Sequence, residues 1–125
     1  IVVIEVPNDF NPLQKIIQKK LKKDEYWVTL YHKLHKFEHL NYFDFSSISK
    51  LVERIGFKII SRESTFPLEF FILMGHDYIK NPKIGKKIHS QRVRFEENSH
   101  EIKKSLYKKF AEIGIGRTAI IYAKK

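Results

Sequence analysis

Ile1-Val2-Val3-Ile4-Glu5-Val6 is apolar on nearly every position, which predicts a β-strand covered on both faces. Pro7-Asn8-Asp9 breaks it. Asn11-Pro12 then reads as a helix cap followed by proline in the first turn. Leu13, Ile16, Ile17 and Leu21 repeat at helical spacing and predict a helix of about 12 residues with lysines on its far side. Residues 24–45 lack a period but are rich in aromatic side chains, and so long a loop is commonly functional.

Ser46 or Ser47 is placed to cap a second helix with the stripe Ile48, Leu51, Val52 and Ile55, ended by Gly56. Phe57–Phe66 predicts a strand in which Phe57 and Ile59 flank Lys58 and Ile60 interrupts the alternation. Pro67 ends it, and Leu68–Met74 predicts a short apolar helix closed by Gly75. Residues 76–92 read as a basic loop, 95–113 as one longer helix carrying Ile102, Leu106 and Phe110, and 117–125 as a closing strand after Gly114 and Gly116. A right-handed crossover makes the first two strands parallel; the pattern leaves open whether the last strand inserts between them or flanks them.

Composition narrows the classes. The chain has 125 residues, 42% of them hydrophobic, enough for one domain with a core. No apolar run reaches the roughly 20 residues that cross a bilayer, and cytoplasm is the default compartment. There is no cysteine, which removes disulfides, thiolate metal sites and cysteine nucleophiles. A net charge of +10 attracts polyanions at long range. The excess is mostly lysine, however, and arginine, the usual reader of base edges, is scarce.

The ordered set of segments resembles the C-terminal half of class I S-adenosylmethionine-dependent methyltransferases of the bacterial small-molecule type. The segments are Ile1–Asn8, Trp27-Val28, His39-Leu40-Asn41-Tyr42-Phe43, Ser47-Ile48 through Ile55-Gly56-Phe57, and Gly116-Arg117 with Ile121-Tyr122-Ala123-Lys124. The resemblance covers nearly the whole chain, although residues 29–38 are longer than usual and lack the Pro-Pro-Asp common there. It implies an α/β fold forming a single partial domain over residues 1–125. The sheet would be a mixed one of three strands, two parallel with the antiparallel C-terminal strand between them, beside about four helices: the back half of a Rossmann-like sheet. Ile1–Val6 would match the family's fifth strand, Phe57–Phe66 the sixth and Thr118–Lys124 the seventh.

The segments with which the family holds its cofactor, S-adenosylmethionine, have no counterpart here. No cofactor is expected on this chain, and no turnover by it alone. The acceptor, a small hydroxyl- or amine-bearing molecule, would meet His39 as a base and Tyr42 and Phe43 as walls. Asn8 and Asp9, just past the first strand, would face it, and Arg92 in the basic loop would hold an anionic group. His32, His35 and His39 share a helical spacing, but the surrounding lysines oppose a metal dication. Glu69 is either a cap carboxylate or a pocket acid. The unpaired Ile1–Val6 edge predicts a homodimer. Rival readings are a basic module that binds nucleic acid or other polyanions, and a non-catalytic interaction adaptor.

Overall fold

A computed structural model describes residues 1–21 and 41–125. Three strands and five helices occur among them: β1 (Val2–Pro7), α1 (Pro12–Leu21), α2 (Phe45–Arg54), β2 (Lys58–Ser64), α3 (Glu69–Leu73), α4 (Pro82–Asn98), α5 (His100–Glu112) and β3 (Thr118–Lys124).

The sheet order is β1-β3-β2. β3 pairs antiparallel with β1, Ile4 opposite Ile121 and Val6 opposite Ala119, and antiparallel with β2, Ser64 opposite Ala119. β1 and β2 run the same way but share no ladder, so the sheet is antiparallel in every pairing rather than mixed. The reason lies in how β3 enters. The Asn8 N–H donates to the Arg117 carbonyl, so β3 starts where β1 ends and runs back along it. Ile60 interrupts the alternation because the register shifts between Ile59 and Ser61, a bulge that turns Ile60 outward.

The core lies against β3, whose Ala119, Ile121 and Ala123 are fully buried. Phe45, Ile48 and Val52 of α2, Ala111 of α5, and Ile4 and Val6 of β1 pack with them. The two alanines leave space for the larger side chains opposite. A smaller cluster joins Ile17 of α1 to Ile72 of α3. Phe66 bridges α3 and α4 through ring contacts with Phe71 and Phe95, and Phe70 meets Phe110 of α5.

Several expectations need correction. β1, at the edge of the sheet among the described residues, is not covered on both faces: Val3 is 57% exposed, and Ile4 and Val6 pack on the core. Residues 76–92 are not all loop, because α4 starts at Pro82, where the Asn81 side chain accepts from the amides of Lys83 and Ile84. The single helix expected over 95–113 is two, divided at Ser99. Ile16, Leu21, Ile55 and Ile102 are exposed, and five helices stand where about four were expected. The cap of α2 is Asp44, with Ser47 returning the bond to the Asp44 amide.

Candidate functional site at the carboxyl ends of the outer strands

β1 and β2 point the same way, so the segments leaving their carboxyl ends, 8–14 and 65–69, fall on one edge of the sheet. Open α/β sheets bind ligands at that edge. Asn8 is buried there and donates its side-chain amide to the carbonyls of Gly114 and Gly116, both at 3.0 Å. Asn8 also forms a parallel bridge with Phe43, and the Asp9 amide donates to the Phe43 carbonyl at 2.7 Å. Phe10, at φ 55°, sets its ring edge-on to Tyr42 with centroids 6.0 Å apart. The structure therefore gathers four predicted site residues, Asn8, Asp9, Tyr42 and Phe43. The Asn8 side chain fastens the turn before β3, which makes its amide structural.

Arg92 lies elsewhere, on α4 rather than in a loop. Its guanidinium is 3.3 Å from Glu96 and 3.4 Å from His89 Nδ1. His39, and the spacing of His32, His35 and His39, fall outside the described residues. Among the described residues no three potential metal-ligating side chains come together.

The sequence reading missed most of a buried polar cluster behind the Asn8–Asp9 turn. Glu69, the first residue of α3, is completely buried. Its Oε1 accepts from Asn11 Nδ2 at 3.3 Å and from Gln14 Nε2 at 3.2 Å. Asn11 also donates to the Asn8 carbonyl and caps α1 by accepting from the Gln14 amide. One carboxylate thus ties the segment after β1 to the segment after β2. Two signals were available. Gln14 interrupts the apolar face beside Leu13 and Ile17, and Glu69 stands in an otherwise apolar run.

Beside this edge a groove of about 840 Å³ opens between the start of α1, α2, β2 and the end of α5. Phe10 and Phe45 contribute apolar wall; Lys15, Lys50, Arg62 and Lys108 contribute charge. At its rim burial would raise the Asp44 pKa, but the Ser47 hydrogen bonds and the Lys15 charge outweigh this and hold it below 3.8. On the α4–α5 side, burial and then the Glu96 carboxylate push the Tyr107 hydroxyl well above its ordinary value. That hydroxyl donates to Glu96 Oε1 at 2.6 Å.

Gly114-Ile115-Gly116 is the one Gly-x-Gly of the sequence and does not form a cofactor cradle. It turns into β3 instead of opening a helix, and the Cβ position of Gly116 is filled by Ser64 Oγ and the Thr65 carbonyl. No family model, curated protein or solved structure matches the chain.

Proposed function

We propose that these residues form the acceptor side of an S-adenosylmethionine-dependent methyltransferase of Rossmann-like fold. The observation that carries the reading is the order β1-β3-β2, with β3 antiparallel between two strands of common direction. The family resemblance implies this order for strands five, seven and six. Asp9, Tyr42 and Phe43 meeting at the carboxyl edge is a second support, since an acceptor would sit there.

The described residues do not fit the cofactor, so no chemical step is assigned to them through it. The cofactor would be held by another part of the polypeptide and would supply the methyl electrophile. This chain's part is alignment of a small hydroxyl- or amine-bearing acceptor between Tyr42 and Phe43, with His39 as the proposed base. Calorimetry of the 125-residue chain with S-adenosylmethionine should give no heat of binding. The natural polypeptide containing these residues should transfer a radiolabelled methyl group to small acceptors. Tight cofactor binding by the 125 residues alone, or a natural polypeptide with no transfer activity, would sink the proposal.

The outer edge of β1 has no partner strand among the described residues, and Ile1 and Val3 are exposed beside it. In isolation the chain is therefore proposed to self-associate through β1. Sedimentation equilibrium checks this, and a single monomeric species at high concentration would refute it.

A further inference from the structure

We infer that the groove between α1, α2, β2 and α5 is a binding site for a phosphorylated small molecule. The inference stands whether or not the chain takes part in methyl transfer. The groove's 840 Å³ falls within the roughly 300–1,000 Å³ typical of small-ligand pockets. Its four cations come from four separate elements: Lys15 from α1, Lys50 from α2, Arg62 from β2 and Lys108 from α5. Such convergence is a product of the fold, not of a lysine-rich run along one helix.

Arg62 is the best-defined of the four. Its Nε donates to Ser49 Oγ at 3.0 Å, and Ser49 is buried on α2. That bond fixes the guanidinium on one side and leaves its terminal nitrogens for a bidentate anion contact. Three carboxylates also line the groove, so its lining carries an excess of one positive charge. Asp44 accepts from the Ser47 amide and hydroxyl, and Glu112 pairs with Lys109 at 2.7 Å. Glu53 is the third. No ion pair joins Lys15, Lys50, Arg62 or Lys108 to a carboxylate within 4.0 Å among the described residues. A guanidinium held on one side by Ser49, with three lysines lining the same groove, suits a phosphate. Phe10 and Phe45 offer an apolar surface for the body of such a ligand.

Inorganic pyrophosphate is the probe, titrated at constant ionic strength against the 125-residue chain by calorimetry and thermal melting. The expected result is saturable binding with a raised melting midpoint. The double variant Arg62→Gln/Lys108→Gln should weaken it at least tenfold. Lys19→Gln/Lys20→Gln, which removes the same charge from the exposed end of α1, should leave it within twofold. Both pairs are exposed, so both variants should fold, as circular dichroism would verify. Equal weakening by the two doubles would overturn the inference and assign the attraction to net charge. So would the absence of saturation, or a single-stranded oligonucleotide that binds tighter than pyrophosphate and is insensitive to Arg62→Gln/Lys108→Gln.

Discussion

Gly116 shows how a single atom governs the carboxyl edge. At φ 108° only glycine is at ease, and its α-carbon sits against Ser64 and Thr65. Gly116→Ala should lower the unfolding free energy by about 3 kcal/mol, since it adds backbone strain to overpacking; urea denaturation measures it. Glu69 acts by chemistry rather than volume. Glu69→Ala strips an acceptor from the amides of Asn11 and Gln14 and should cost about 2–3 kcal/mol in the same experiment. Glu69→Gln, which keeps the shape, should cost less. Tyr107 gives a pH signature. Its folded pKa lies above the ordinary 10.0, so folded chains keep a proton that unfolded chains release. Stability is then complete below pH 10 and falls as pH rises beyond it. Tyr107→Phe should flatten that decline in denaturation curves collected between pH 9 and 11.

At the scale of elements, periodicity and caps made much of the chain readable. The helix after Asn11-Pro12, the stripe Ile48, Leu51 and Val52, the strand after Gly56 and the closing strand all stand near the positions their patterns predict. The failures have physical causes. Asn81-Pro82 repeats the start signal of Asn11-Pro12, but α4 buries only Ile88, so it has too thin an apolar stripe to register as a helix. The site was half legible. The Asn8–Asp9 turn and Tyr42-Phe43 read as loop residues of interest, whereas the Asn11–Gln14–Glu69 link joins segments 55 or more residues apart, which local pattern does not reveal. The cap of α2 provides an element-scale test. Asp44→Ala removes the carboxylate that accepts from the Ser47 amide and hydroxyl, while the Asp44 amide keeps its bond to Ser47 Oγ, and should cost about 1 kcal/mol at neutral pH. Because the Asp44 pKa is lowered on folding, its contribution is present above pH 3.8 and is lost as pH falls through the folded value. Thermal melts of the wild type and Asp44→Ala should therefore converge in acid.

For the molecule as a whole, charge and topology set the behaviour. A net charge of +10 gives any anion a long-range attraction that salt screens, so pyrophosphate affinity should decline as potassium chloride is raised. Among the described residues no helix is long and apolar enough to cross a membrane. The sheet's pairings were the least legible feature, because hydrophobic alternation reports which residues face a core and not which strand lies alongside.

The middle position of β3 also dictates a timetable. β1 and β2 have no ladder between them, and the Asn8 amide finds its acceptors 106 and 108 residues later. Among the described residues, neither outer strand has a ladder partner until residues 118–124 are in place. In the 125-residue chain, deleting residues 117–125 should accordingly abolish strand signal in circular dichroism altogether, instead of trimming it by a third.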